Sequence, residues 1–200
     1  MDISTDRRSR KRTETHERIF RAALALFAER GIAATTIEQI TERADVGKGT
    51  FFNYFPSKEH VFLSLGEIQL GNVEAALEDA RQGQEPIAKI ILHLAQSLTR
   101  EPGRSPELLR SLLIANLSGE PVREIFKGIL AQGREMLTEV LRLGQERGEI
   151  RADVDCARHA RIFQQVMLGT MTFWAFHSEL SAAALVEDAI ALYWRGLRQS

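Results

Sequence analysis

The sequence predicts an all-α chain of about nine helices, three in an N-terminal unit over residues 1–56 and six in a second unit over residues 57–200. Three observations predict it. Apolar residues recur at spacings of three and four in segment after segment, the signature of a helix with one buried face. No stretch shows the period-two alternation of a half-buried strand. Loops rich in Gly, Pro and Ser punctuate the pattern at 82–86, 101–106, 118–121 and 148–155.

In chain order, Met1 to Arg12 is polar, with Arg7, Arg8, Arg10, Lys11 and Arg12 clustered, and reads either as a solvated leader or as a basic arm over 7–12. Thr13 then serves as the cap of a helix to Arg30, along which Ile19, Phe20, Ala23, Leu24 and Phe27 repeat and which Gly31 ends. In the next helix Ile37, Ile40 and Ala44 share a face behind a Thr35 or Thr36 cap, with Glu38 in the first turn. Asp45 sits where the chain must reverse, and Asp tolerates left-handed backbone angles better than most residues other than Gly. Gly47-Lys48-Gly49-Thr50 opens a short helix that turns Phe51 and Phe55 inward and leaves Lys48, Thr50, Phe52, Asn53 and Tyr54 to look outward or sideways. Pro56 closes it, and Ser57 is expected to cap a long helix carrying Val61, Phe62, Leu65, Val73 and Leu77. Helix, tight turn and short second helix resemble a helix-turn-helix whose second helix enters the DNA major groove.

The string TTIEQITERADVGKGTFFNYFPSK over Thr35–Lys58 is similar to the signature of the tetracycline-repressor (TetR) family of transcriptional regulators. It keeps Lys48, Gly49, Thr50, Tyr54, Phe55, Ser57 and Lys58 of the family's usual "AGVSKGTLYHYFPSKE". It departs at Asp45 (usually Gly), Gly47 (often Ser) and Phe52 (commonly Tyr, which offers a hydroxyl to a phosphate). The loop GEIRADVD over 148–155 is similar to one common before the family's penultimate helix. The resemblance implies a DNA-binding regulator, a repressor, that binds a palindromic operator as a homodimer. Thr36, Lys48, Gly49, Thr50, Asn53, Tyr54 and Lys58 are then the DNA contacts. Lys48 suits phosphate or guanine, Thr50 a thymine methyl or phosphate, and Asn53 an adenine edge, while Thr36, Tyr54 and Lys58 suit phosphates.

Composition is compatible with this and excludes other classes. Residues 1–58 hold 11 Lys/Arg against 8 Asp/Glu, and the remainder 15 against 19, so the positive excess lies where a phosphate backbone would. The single cysteine, Cys156, cannot form an internal disulfide, fits a reducing cytoplasm, and is read as a small buried hydrophobe. No apolar run is long enough to span a bilayer. His16, His60, His93, His159 and His177 lack metal-site spacing, and no nucleophile elbow, phosphate loop or dinucleotide fingerprint occurs. The sequence therefore proposes no catalytic residue, no metal and no cofactor.

The last two helices, about 155–178 and 181–198, are apolar on more than one face. One stripe is Ala160, Phe163, Met167, Met171 and Trp174; the other is Ile162, Val166, Gly169, Phe173 and Phe176. Burial on both sides implies a second copy packed as a four-helix bundle. The resemblance further implies a small-molecule effector bound in the second unit, for which His93, Asn116, Phe126, Phe163, Gln164, Met167, Met171 and Trp174 are the candidate lining. With few charges on those faces, the ligand expected is apolar or aromatic. The alternative is a helical small-molecule-binding protein that has lost specific DNA reading, since Asp45, Gly47 and Phe52 depart from the signature. A helical enzyme or scaffold would need an activity independent of DNA.

Overall fold

A computed structural model describes residues 3–118 and 120–198. Among the described residues the chain forms nine α-helices and a short 3-10 turn. The helices are α1 (Ile3–Arg30), α2 (Ile37–Arg43), α3 (Lys48–Phe52), α4 (Val61–Gln82), α5 (Ile87–Thr99), α6 (Pro106–Ser118), α7 (Glu120–Glu146), α8 (Cys156–Phe176) and α9 (Ala182–Arg195). The 3-10 turn, Pro102–Arg104, lies in the loop expected between α5 and α6. Extended pairing among these residues amounts to one bridge, Ile150 to Arg198, which ties the α7–α8 loop to the end of α9. Gly119, which the sequence puts in the turn between α6 and α7, lies outside the described residues.

Two apolar cores organise the helices. The first gathers Ile19, Phe20, Ala23, Leu24 and Phe27 of α1 around Ile40, Phe51 and Phe55. It is completed by Val61, Phe62 and Leu65 from the start of α4 and by Leu108 and Ala115 of α6. The second joins the rest of α4 to α5, α7, α8 and α9 around Ile87, Ile91, Val140, Leu141, Ala160, Phe163 and Ile190. Leu109, beside Leu108 on α6, belongs to this second core. Successive residues on a helix point about 100° apart, so α6 reaches both cores with adjacent leucines.

Turn chemistry follows the sequence at two positions and departs from it at two. Asp45 stands at φ 50, the left-handed conformation inferred for it, and Gly31 ends α1 at φ 76. The basic stretch 7–12, expected to precede the first helix, instead lies within α1, so Thr13 is no cap. Nothing in Ile3–Thr13 is a Gly or Pro that would break the helix. The Arg10–Glu14 pair at i, i+4 and the Thr15 hydroxyl's bond to the Lys11 carbonyl continue it through the junction. Ser57 does not cap α4, which begins at Val61. Its hydroxyl is taken by Glu59 and His60, and Ser57–His60 fold as i→i+3 turns.

Where α7 meets the following loop, packing leaves no room for a Cβ. One added at Gly144 would stand 2.7 Å from Ile150 Cδ1, 3.1 Å from Ile150 Cγ1 and 3.3 Å from Ile87 Cγ1. Both isoleucines are fully buried, so neither can swing away. Gly144→Ala is expected to lower stability by about 1–3 kcal/mol despite alanine's better helix propensity, read as a drop in thermal midpoint. Cys156 is buried, its thiol donates to Gln145 Oε1 at 3.0 Å, and desolvation raises its pKa. A thiolate-specific reagent should therefore leave it unmodified in the folded protein and modify it only after denaturation.

Candidate nucleic-acid interface and apolar cavity

The helix-turn-helix is α2, the Ala44–Gly47 turn and α3. Thr36 caps α2 in a reciprocal box: its hydroxyl oxygen accepts from Gln39 N–H at 3.3 Å, and Gln39 Oε1 accepts from Thr36 N–H at 3.0 Å. Thr35, the other cap candidate, is buried and donates its hydroxyl to the Gly31 carbonyl at 2.8 Å. Gly47 stands at the N-cap of α3 with no side chain to offer. Phe51 is fully buried and Phe55 nearly so, 5.7 Å apart between ring centroids, which fixes the roll of the short helix.

That roll leaves Lys48, Gly49 and Asn53 exposed and Thr50 half-buried, beside the exposed Thr36 that opens α2. Asn53 follows the last turn of α3 as its C-cap. Tyr54 lies half-buried, its ring 5.9 Å from that of His16. Phe52 projects outward and is 48 % exposed. A Cβ at Gly49 would touch nothing within 4 Å, so nothing inside the chain requires glycine at this exposed helical position.

Two lysines differ from their simplest reading. Lys48 pairs with Glu38 across the turn, and this hydrogen bond holds the Glu38 carboxyl below its ordinary value. Lys58 donates to the carbonyls of Ile32 and Thr35, both at 2.7 Å, and so straps the chain entering α2 to the segment leaving α3. It stands three residues before α4, whose first N–H groups already donate to the carbonyls of Lys58, Glu59 and His60. Arg18 does the corresponding work on the other side of α2, donating to Ala44 O at 2.6 Å and Asp45 O at 2.6 Å. The α6 residue Ser111 accepts the Ile32 N–H at 3.2 Å.

Behind this unit lies an apolar cavity of about 230 Å³ between α4, α5, α6, α7 and α8. Six of the eight candidate lining residues border it: Asn116, Phe126, Phe163, Gln164, Met167 and Met171. His93 does not. It falls on the Lys89 side of α5, opposite the buried Ile90–Ile91–Leu94 face, and is exposed near Glu85. Trp174 does not either, since its indole N–H donates to Leu180 O at 3.0 Å and packs the α8–α9 corner. The sequence reading missed Glu59, His60 and Gln69, which also border the cavity. Gln69 had a visible signal, a polar residue on the Phe62–Leu65–Val73 stripe; Glu59 and His60 had none.

Comparison with known proteins places these features. Residues 19–65 match the profile of bacterial regulatory proteins of the tetR family, and residues 115–190 match the tetracyclin repressor-like C-terminal domain. An uncharacterised HTH-type transcriptional regulator of Bacillus subtilis, YdeS, is 30% identical over 155 residues, 74% of this chain and 74% of its own. The chain belongs to the TetR family. It is a DNA-binding transcriptional regulator with the family's helix-turn-helix and helical C-terminal domain. The repressor KstR of Rhodococcus jostii is 30% identical over 116 residues, 56% of this chain, and the chain spans about half of KstR's length, 54%. The solved structure of Thermus thermophilus FadR, a TetR-family repressor in complex with lauroyl-CoA, superposes with a TM-score of 0.66 at 28% identity, over 92% of this chain and 97% of that one.

The interface geometry yields two expectations. Gly49→Ala should leave the thermal midpoint unchanged or slightly raised, because alanine favours helix by up to about 1 kcal/mol, while weakening DNA binding. Glu38→Gln removes a carboxylate and frees Lys48, so it should tighten binding to all duplexes. Lys48→Ala should weaken binding and reduce the log–log salt slope by about one, measured by titration at several salt concentrations.

Proposed function

We propose that this regulator is a homodimeric cytoplasmic repressor without enzymatic activity, which binds a palindromic operator and is released by a small apolar or aromatic effector. In this reading residues 1–56 form the DNA-binding domain and residues 57–200 the effector-binding and dimerisation domain. Thr36, Lys48, Gly49, Thr50, Asn53 and Tyr54 meet the DNA, and Lys58 adds a phosphate contact from its third ammonium proton while strapping the unit together.

The observation that carries the effector reading is the cavity. Its wall is almost wholly apolar side chains, so water gains few hydrogen bonds there and an apolar occupant gains burial. A smaller engineered void, about 150 Å³, already stays dry and takes benzene. The lauroyl-CoA held by Thermus thermophilus FadR supports an occupant with an apolar body.

The dimer reading is supported by the outer stripe of α8. Phe173 and Phe176 are 48 % and 72 % exposed, and Leu192 on neighbouring α9 is 65 % exposed. Gly169, on the same stripe, has nothing within 4 Å of a built Cβ, which would let a partner helix approach closely. Monomers seldom leave so apolar a face bare. Among the described residues, no helix is long and apolar enough to cross a membrane.

Selection of bound sequences from a random duplex pool, with salt varied, tests the reading as a whole. The expected product is a palindrome with half-sites about one DNA turn apart, roughly 34–36 Å, bound more tightly as salt falls. Sequence-blind binding that persists after refolding from denaturant, which strips any bound effector, would favour a protein that has lost specific reading. Phe176→Glu with Leu192→Glu should give folded monomers by sedimentation and abolish binding to the full palindrome.

A further inference from the structure

The segment that joins the reading unit to α4 also forms part of the cavity wall. Glu59 and His60 border the cavity at the end where α4 begins, next to Phe62. Their hydrogen bonds with Ser57 fix which atoms are left for a ligand. The Ser57 hydroxyl lies 2.5 Å from Glu59 Oε2 and 2.9 Å from His60 Nδ1. An ionised carboxylate only accepts, so the single hydroxyl proton goes to Glu59. Ser57 Oγ must then accept from His60, whose Nδ1 carries the proton. In a neutral imidazole this leaves the Nδ1–H tautomer, with a bare lone pair on Nε2. The second oxygen of Glu59 is likewise an acceptor.

The other polar groups on the wall are largely committed. Gln69 donates to Leu98 O at 2.9 Å and accepts from Asn72 at 3.2 Å. Gln164 donates to Leu130 O at 2.7 Å, and the Thr99 hydroxyl donates back into its own helix. Among the described residues the Asn116 amide on the wall has no hydrogen-bond partner, and no Lys or Arg borders the cavity. One end is therefore rich in acceptors and carries negative charge; the body is apolar.

We infer that Glu59 and His60 form the polar end of the effector site and select a ligand whose apolar body ends in a hydrogen-bond-donating, non-anionic head group, a hydroxyl or an ammonium. This rests on the reading of the cavity as an effector site. It also sets the head group against the connector whose Lys58 holds the Ile32 and Thr35 carbonyls ahead of α2. Carboxylates are disfavoured because Glu59 repels them and no cation compensates. Ethers and thioesters are disfavoured because they offer acceptors to acceptors.

The test compares probes of matched chain length on the full protein: 1-decanol, decylamine, methyl decyl ether, decanoate and decanoyl-CoA. Affinity is read by calorimetry and release by the loss of bound operator. Decanol or decylamine should bind at least about tenfold more tightly than the ether and decanoate, and should release DNA. Which of the two is tighter separates the hydroxyl from the ammonium. In His60→Phe combined with Glu59→Gln, that preference should collapse toward parity while the ether's own affinity holds. The retained affinity for the ether shows that the doubly substituted cavity still folds. Equal binding of decanol and ether, or tighter binding of decanoate or decanoyl-CoA, overturns the head-group assignment and leaves the effector site standing. Failure of every probe to bind overturns both.

Discussion

The whole interface depends on burying two phenylalanines. A helix of five residues has no stability of its own, because nucleation fixes more backbone than so few hydrogen bonds repay. It exists because Phe51 and Phe55 are driven into the core formed by α1, and their burial rolls Lys48, Gly49 and Asn53 outward. Polar straps then hold the surrounding turns: Arg18 on the carbonyls that end α2, Lys58 on those that precede it, and Ser111 on the Ile32 N–H. Each strap satisfies a backbone group that a helix end or tight turn would otherwise leave open. The reading surface is thus a by-product of an apolar core finished with side-chain-to-backbone bonds.

The same packing couples that surface to the cavity. α4 begins in the first core through Val61, Phe62 and Leu65 and continues in the second through Val73, Ala76 and Leu77. α6 divides Leu108 and Leu109 between the two cores and also holds the end of α8, where Arg110 donates to Ala175 O at 2.7 Å. The cavity lies against both of these shared helices. Close-packed interiors transmit displacement rather than absorb it, so an occupant that shifts α4 or α6 also shifts the ground on which α1 and the helix-turn-helix rest. Gly66 sharpens this. A Cβ there would stand 2.1 Å from Ile129 Cδ1, so the Ile129 side chain of α7 lies directly against the bare backbone of α4, beside the space a ligand would fill.

Much of the architecture was legible because apolar spacing and turn chemistry are local. The stripe Ala160–Phe163–Met167–Met171–Trp174 is buried throughout, and the second stripe, Ile162–Val166–Gly169–Phe173–Phe176, stays half-exposed or exposed. Asp45 was legible because a reversal between two helices demands a left-handed residue and few side chains accept it. The two misread caps share one cause. Thr13 and Ser57 have the chemistry of caps, but a side chain caps only if the backbone stops there. Continuous i, i+4 support carried the helix past Thr13, and Glu59 and His60 claimed the Ser57 hydroxyl. His93, named among the candidate lining, misses the cavity because the outer face of α5 is where residue 93 falls.

By itself, then, the sequence determined the helices, the reading motif and the family, because each is encoded within a few turns of chain by periodicity and by residues suited to one backbone geometry. Only the tertiary structure decided what the free polar groups are for. Lys48 faces Glu38, Lys58 faces carbonyls twenty-three and twenty-six residues back, and Glu59 and His60 border a cavity made by five helices. Those partners are set by packing across the chain, and no local pattern records which distant atoms a side chain will meet.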